Sequence, residues 1–193
     1  MSKSKSKIKI YDNFLSKEEW QQVHYFFFRA EDEAIHWRWS PSITGGKMPI
    51  DKESGQFTAG FYYTDEGPRN YKDWDKITPI LNGIWYTEPE KNDLSWLRVK
   101  ANLNPRRCDH DQLGAFHQDF AIENATTAIF YLNTNNGWTQ FEDGTKVESV
   151  ENRLVTFPAT THHVGFSCTD KSVRIVLNLN YIKYKTPTTY YSA

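Results

Sequence analysis

The second half of the chain is a series of short segments rich in β-branched and other apolar residues, separated by turns that contain Asn and Gly. Between residues 97 and 182 there are about eight such segments, and Asn135-Asn136-Gly137 is the sharpest turn among them. Many short strands joined by tight turns are typical of antiparallel β proteins rather than of helical bundles. The sequence therefore predicts a mostly β protein with a jelly-roll core, also called a double-stranded β-helix.

The first half carries signals for two helices. Ser16 followed by Glu19 has the pattern of a capping box, which predicts a helix from Lys17 to about Arg29. Pro68 is expected to begin a second helix that continues to about Ile84. Both segments place apolar side chains at helical spacing, so we expect both helices to buttress one face of the sheet.

Composition favours one domain over residues 1–193. A chain of 193 residues can bury a single sizeable core, and no segment reads as a domain boundary. Its 12 Phe, 11 Tyr and 7 Trp suit a β-rich core and a lined pocket. We expect a helix-containing N-terminal part over residues 1–96 and the jelly-roll core over residues 97–182.

The segment from residue 31 to residue 56 permits two interpretations. Trp37-Arg38-Trp39 alternates as a strand does, and Ser40-Pro41 and Gly45-Gly46 then interrupt the pattern. The segment could be a mobile aromatic flap over a pocket or a hairpin of the scaffold. The sequence leaves both open.

Charge and cysteine content argue against several classes of partner. The net charge of −1 provides no general attraction to nucleic acid or to an anionic membrane, and no apolar stretch has membrane-spanning length. Cys108 and Cys168 are far apart and fit no metal or redox spacing. Because no signal peptide is recognisable, we expect reduced thiols and a cytoplasmic protein.

His117 and Asp119 form a His-x-Asp pair within the predicted strand from Leu113 to Phe120. Alternate residues of a strand point to the same side, so both side chains are expected to address one interior point. The pair alone is a weak signal in a chain with 6 His, because a histidine on an apolar strand is often a hydrogen-bonded core residue.

Two later residues strengthen the metal interpretation. His163 lies on a later predicted strand, and two imidazoles with one carboxylate form the facial triad of non-heme Fe(II) oxygenases. Arg174 lies in a strand otherwise rich in Val, Ile and Leu, where a guanidinium without an anion would be costly. We therefore expect Arg174 to bind a carboxylate in two-pronged fashion.

The distal ligand and the ligand set each have an alternative. His162 adjoins His163, and neighbours on a strand point to opposite faces, so only one of them can be the ligand. The spacing to Arg174 favours His163. Glu123 suggests a cupin with another ligand set, but the His-x-His pattern of cupins is absent.

The stretch from Leu97 to Tyr181 resembles the core of the 2-oxoglutarate/Fe(II)-dependent oxygenases of the prolyl 4-hydroxylase-like branch. Within that branch it is similar to short oxygenases encoded by tailed phages, notably those of marine cyanobacteria. The resemblance is carried by Thr127-Ala128-Ile129-Phe130-Tyr131-Leu132-Asn133, Asn152-Arg153-Leu154-Val155-Thr156-Phe157, His163-Val164-Gly165 and Arg174-Ile175-Val176-Leu177-Asn178-Leu179-Asn180-Tyr181.

The resemblance implies a role for five residues. His117, Asp119 and His163 would bind Fe(II), Arg174 would pair with the distal carboxylate of 2-oxoglutarate, and the phenol of Tyr131 would hydrogen-bond the same carboxylate. The chain departs from the family in two places. Collagen-type members have Lys where Arg174 stands, and the usual Pro before the distal histidine is replaced by Thr161 and His162.

The activity implied by the resemblance is that of a dioxygenase using Fe(II), O2 and 2-oxoglutarate as co-substrate. Its default reaction is hydroxylation of an amino-acid side chain, with peptidyl proline favoured, so the implied partner is a peptide, a protein or a small molecule. Two alternatives remain. In an enzyme that oxidises a nucleobase, Arg106 and Arg107 could contact phosphates of the nucleic acid, although Asp109 and Asp111 offset their charge. A non-catalytic jelly-roll binding or virion-associated protein is the other alternative.

Overall fold

The computed structural model describes residues 8–29, 35–43, 55–69, 71–87 and 92–185. Its two helices and twelve strands, in chain order, are β1 (Lys9–Tyr11), α1 (Lys17–Phe28), β2 (Arg38–Ser40), β3 (Gln56–Tyr63), β4 (Gly67–Pro68), α2 (Trp74–Thr87), β5 (Asn92–Pro105), β6 (Gln112–His117), β7 (Ala125–Tyr131), β8 (Trp138–Phe141), β9 (Lys146–Glu148), β10 (Arg153–Pro158), β11 (His163–Phe166) and β12 (Val173–Lys185). A 3-10 turn, Tyr71–Asp73, precedes α2.

The strands form two antiparallel sheets. The large sheet has the order β1-β10-β7-β12-β5-β3-β2, with β4 paired to β3, and the small sheet has the order β6-β11-β8-β9. From β6 onward the chain passes repeatedly between the two sheets, so strands that are neighbours in space, such as β7 and β12, are distant in sequence. This topology is that of a jelly roll, and the predicted fold class is confirmed.

The large sheet is covered on both faces, and the alternation of side chains decides what each face contains. Its outer face packs under the two helices, where Leu177 and Leu179 of β12 meet buried side chains such as Val23 and Ile80. A smaller cluster lies between the sheets and contains Tyr131, Phe141, Val147, Val155 and Val176. The inner face of the large sheet is therefore the surface on which a site enclosed by both sheets can form.

The first helix begins at the predicted residue, Lys17. The Ser16 hydroxyl accepts a hydrogen bond from the Glu19 amide, and the Glu19 carboxylate accepts one from the Ser16 amide, which completes the capping box. The helix ends at Phe28, and Val23, Phe26 and Phe27 are buried.

The predicted start of the second helix is wrong. Pro68 lies in the two-residue strand β4, opposite Tyr62, and the helix begins only at Trp74. Gly67 has φ +73°, which turns the chain into β4, and β4 pairs only with β3, where a proline without an N–H is tolerated. The predicted apolar face is confirmed, because Ile77, Ile80 and Ile84 are buried.

The aromatic segment after the first helix is part of the scaffold where the structure describes it. Arg38–Ser40 forms β2, which pairs with β3 at the edge of the large sheet. The flap interpretation falls mainly on residues 44–54, which lie outside the described residues. The expected division between residues 96 and 97 falls within β5, and the assignment of a single domain stays a prediction.

Two further expectations concern the whole chain. Cys108 is exposed and Cys168 is buried, and both are free thiols. Neither of the helices in the described ranges has the length and apolarity needed to cross a bilayer.

Candidate metal centre

Three of the predicted site residues converge where the two sheets meet. His117 ends β6 and His163 begins β11, and the two residues are direct partners across the small sheet. Asp119 follows β6, and the ligand atoms of the three side chains all lie within 4.8 Å of one another. Two imidazoles and one carboxylate at this separation are the donor set of a facial triad.

The Asp119 carboxylate is not oriented by strand geometry, although the sequence predicted that it would be. The strand ends at His117, and Asp119 lies in a bend beyond it. Strand alternation therefore does not aim its carboxylate, and that part of the prediction is wrong. The carboxylate is held instead by hydrogen bonds from the large sheet, which bring it back towards the two histidines.

The large sheet donates to both oxygens of Asp119. Arg98 Nη2 donates to Oδ1 at 2.6 Å, while Thr127 Oγ1 and Asn180 Nδ2 each donate to Oδ2 at 3.0 Å. Burial by itself would raise the pKa of this carboxyl, but the Arg98 guanidinium, the nearby histidines and the Asn180 amide hold the pKa well below its usual range. Asp119 is therefore an ionised carboxylate, as a metal ligand must be.

Each histidine of the cluster leaves one ring nitrogen free. His117 Nδ1 lies 2.9 Å from the Ala115 carbonyl, and His163 Nδ1 lies 3.1 Å from the Thr161 carbonyl. A carbonyl can only accept, so Nδ1 carries the proton in both rings and Nε2 presents its lone pair. Burial also lowers the pKa of His163, which favours the neutral imidazole that binds metals.

His162 points away from the cluster. Its side chain is 46% exposed, and its Nδ1 lies 3.8 Å from Glu142. His163, by contrast, is 3% exposed. The structure therefore places His163 and not His162 beside His117 and Asp119.

The Thr127 hydroxyl allows a conservative test of this support. We expect Thr127→Val to weaken Fe(II) binding by about tenfold, the lower end of what loss of a residue that orients a metal ligand costs. The substitution keeps the shape of the side chain but removes one donor to Asp119 and the acceptor that Asn180 Nδ2 uses at 2.9 Å. The measurement is an anaerobic Fe(II) titration.

The matched control is Thr156→Val. Thr156 is buried on β10 opposite Ala128, on the face of the sheet turned away from Asp119. An equal change of Fe(II) affinity in the two variants would contradict a specific role of the Thr127 hydroxyl.

Arg174 is the fourth predicted residue at the site. It is 3% exposed, and its Nε and Nη2 donate to Ser149 Oγ at 2.9 Å and to Thr139 Oγ1 at 3.2 Å. No acidic side chain of the described residues lies within ion-pair distance of it. Burial lowers the pKa of Arg174, so its charge is held at a cost that an anionic ligand would offset.

Tyr131, the fifth predicted residue, lies directly against Arg174. The guanidinium carbon is 5.6 Å from the centre of the Tyr131 ring. The phenol donates to Thr139 Oγ1 at 2.8 Å, so the same hydroxyl links Tyr131 and Arg174. A direct bond from Tyr131 to a carboxylate stays a prediction.

One cavity of about 580 Å³ is lined by four of the five predicted site residues, and Tyr131 lies buried behind Thr139. The triad, Arg174 and Thr139 line it, together with a row of polar side chains from β5, namely Arg98, Lys100, Asn102 and Asn104. The volume is within the range of small-molecule sites. A ligand bound to Arg174 can therefore extend towards the triad.

Four residues that support Asp119 were not predicted from the sequence, namely Arg98, Thr127, Asn178 and Asn180. A signal was present in the two long strands. In β12, Asn178 and Asn180 alternate with Leu177 and Leu179, and β5 has the same alternation of polar with apolar residues. Polar residues on one face of a strand that is apolar on the other indicate a polar interior or a solvated face.

No family model and no curated protein matches this sequence. Solved structures do match. An oxidoreductase of the 2OG-Fe(II) oxygenase family from Burkholderia pseudomallei has a TM-score of 0.64 at 8% identity, over 91% of this chain and 85% of the other. A prolyl hydroxylase from Trichoplax adhaerens, solved with a hypoxia inducible factor peptide fragment, has a TM-score of 0.62 at 14% identity, over 91% and 83%.

A viral collagen prolyl hydroxylase from Paramecium Bursaria Chlorella virus-1, solved with 2OG, has a TM-score of 0.52 at 16% identity, over 93% of this chain and 96% of the other. The fold is that of the 2-oxoglutarate/Fe(II) oxygenases. The resemblance that the sequence indicated is confirmed at this level, because the similarity covers almost the whole chain. The closer resemblance to oxygenases of tailed phages stays a prediction.

Proposed function

We propose that this protein is an Fe(II)- and 2-oxoglutarate-dependent dioxygenase that hydroxylates an amino-acid side chain, with peptidyl proline as the favoured residue. One observation carries the proposal. His117, Asp119 and His163 converge within 4.8 Å in a cavity that Arg174 also lines, and no acidic side chain of the described residues pairs with this buried Arg174.

The residues fit the metal and the co-substrate. Each histidine presents Nε2, and Asp119 Oδ1 accepts one hydrogen bond, from Arg98, so it keeps one lone pair for a cation. When bound, Fe(II) and 2-oxoglutarate supply the oxidising chemistry, in which O2 and 2-oxoglutarate are converted to succinate and CO2 while one oxygen atom enters a substrate C–H bond.

The contributions of the chain itself are binding and orientation. Arg174 would hold the distal carboxylate of 2-oxoglutarate through its guanidinium fork, and Ser149 and Thr139 keep that fork in place. Tyr131 would support the same carboxylate through Thr139 or directly. The buried walls of the cavity would exclude water from the reacting atoms.

Similarity to prolyl hydroxylases supports an amino-acid substrate, and the charge of the Arg106–Asp111 loop argues against a nucleobase. Two of the similar structures are prolyl hydroxylases, one of them in complex with a peptide fragment. A nucleobase substrate is less favoured, because Arg107 lies 3.6 Å from Asp111 and so part of the basic loop is neutralised. A cytoplasmic location and a phage origin stay predictions from the sequence.

The proposal is tested by an anaerobic titration with Fe(II) and 2-oxoglutarate, followed by exposure to O2. We expect a weak visible charge-transfer band on formation of the chelate and, in air, slow release of succinate. Absence of both the band and metal binding would overturn the enzyme proposal and favour a non-catalytic jelly-roll protein.

A further inference from the structure

The floor of the cavity is a polar row on β5. Arg98, Lys100, Asn102 and Asn104 all line the cavity, while Val99 and Ala101 between them pack under the helices. Each member of the row faces a partner on β12, and Asn104 is the partner of Arg174. The row therefore runs from the Arg174 end of the cavity to the Asp119 end.

Two cationic side chains of the cavity have no acidic partner among the described residues, and 2-oxoglutarate uses only one of them. Arg98 pairs with Asp119, which leaves Arg174 and Lys100. Within the part of the chain that the structure describes, neither of these two has a carboxylate within ion-pair distance. In the proposed function, Arg174 binds the distal carboxylate of 2-oxoglutarate, and Lys100 has no assigned ligand.

Lys100 is held in an environment that disfavours its charge. Burial, with a smaller contribution from the nearby Arg98 guanidinium, lowers its pKa to about 8, although the Asp119 carboxylate acts in the opposite direction. An anion beside the ammonium would reverse this effect. Lys100, like Arg174, is therefore a buried cation that an anionic ligand would stabilise.

Lys100 lies between the triad and a second groove that adjoins the cavity. It is opposite Asn178, whose amide lies 3.4 Å from Asp119 Oδ2, so Lys100 is close to the triad. It also lines an adjoining groove formed by Arg38, Trp39 and their neighbours on β2 and β3. Lys100 thus lies where the cavity opens into the groove.

Two amide oxygens of the same polar row lack a donor among the described residues, one two residues from Lys100 and the other opposite Arg174. Asn102 Oδ1 and Asn104 Oδ1 are buried and have no hydrogen-bond partner, and both residues line the same cavity. A buried acceptor without a donor costs free energy, so such atoms indicate a ligand with N–H or O–H groups. The Lys100 ammonium and the Asn102 amide oxygen, two residues apart on one face of β5, together suit a ligand that combines a carboxylate with an N–H.

We propose that Lys100 is a substrate-binding residue that pairs with a carboxylate of an amino-acid substrate, while Asn102 accepts a hydrogen bond from the N–H of the same substrate. The inference rests on the proposed dioxygenase function and narrows its substrate to one with a carboxylate and an N–H, in place of peptidyl proline, which has neither. The carboxylate could be the α-carboxylate of a free amino acid or the side-chain carboxylate of an acidic residue.

The experiment uses the full chain loaded anaerobically with Fe(II) and 2-oxoglutarate and records how added ligands perturb the chelate band. One panel contains the free proteinogenic L-amino acids. The other contains their N-acetyl amides, in which only the Asp and Glu derivatives keep a carboxylate. We expect the tightest ligand to carry a carboxylate, and the two panels distinguish its sources.

The variants are Lys100→Met and Lys100→Arg, with the exposed Lys171→Met as matched control. We expect Lys100→Met to weaken the tightest ligand by about tenfold or more, while Lys100→Arg restores most of the affinity. The Kd of 2-oxoglutarate should change by less than about twofold in Lys100→Met, because Arg174 holds that carboxylate.

Several results would overturn the inference while leaving the proposed function intact. These are tightest binding by a neutral N-acetyl amide, no binding by either panel, or unchanged ligand affinity in Lys100→Met. A loss of 2-oxoglutarate affinity in Lys100→Met would instead assign Lys100 to the co-substrate. If wild-type protein formed no chelate band at all, the proposed function would itself have failed.

Discussion

Replacing His163 with alanine is expected to abolish Fe(II) binding, with affinity falling by more than about 100-fold, beyond what loss of a residue that merely orients a ligand costs. His163 is buried beside His117, and its Nδ1 proton is engaged by the Thr161 carbonyl, which leaves Nε2 for the metal. The measurement is an anaerobic Fe(II) titration, with the 2-oxoglutarate chelate band as a second readout.

The adjacent histidine provides the control. His162→Ala makes the same chemical change one residue away, at a half-exposed side chain outside the cluster. We expect Fe(II) affinity close to that of the wild type. Loss of binding in His162→Ala with retention in His163→Ala would show that the distal ligand has been assigned to the wrong residue.

The second large effect is expected for Arg174→Met, which should raise the Kd of 2-oxoglutarate by at least about 100-fold, because one partner of a buried charge pair is removed. The Kd of Arg174→Lys should lie between those of the wild type and Arg174→Met, since lysine keeps the charge but not the planar fork that Ser149 and Thr139 position. The measurement is a 2-oxoglutarate titration of the Fe(II)-loaded protein.

Fe(II) affinity without 2-oxoglutarate should change little in Arg174→Met, because Arg174 is not among the metal-binding side chains. Arg153→Met is the matched control. Arg153 also lies on the large sheet, but it pairs with Asp12 outside the cavity. A 2-oxoglutarate Kd that is equally raised in both variants, or in neither, would contradict the assignment of Arg174.

Local patterns predicted the elements whose determinants are local. The capping box of Ser16 and Glu19 marks the start of α1 because both partners lie within one helical turn. Runs of β-branched and other apolar residues located β7 and β12 for the same reason. The prediction failed at Pro68, where pairing with β3 and a turn at Gly67 outweighed the preference of proline for helix starts.

For the site, the sequence identified the donor residues but not how they are held. The His-x-Asp spacing pointed to Asp119 through an alternation that the structure does not contain, because β6 ends at His117. The carboxylate is oriented by Arg98, Thr127 and Asn180, which lie 21, 8 and 61 residues away along the chain. No local pattern encodes contacts at such separations.

The chemical types available can therefore be read from the order of residues, namely two imidazoles, a carboxylate and several cations on strands with one polar face. Which of these charges neutralise each other depends on the packing of the two sheets. Arg98 pairs with Asp119, whereas Arg174 and Lys100 face the same cavity without an acidic partner among the described residues. The physical reason is that ion pairing depends on distances of a few ångströms, and packing of the two sheets sets those distances.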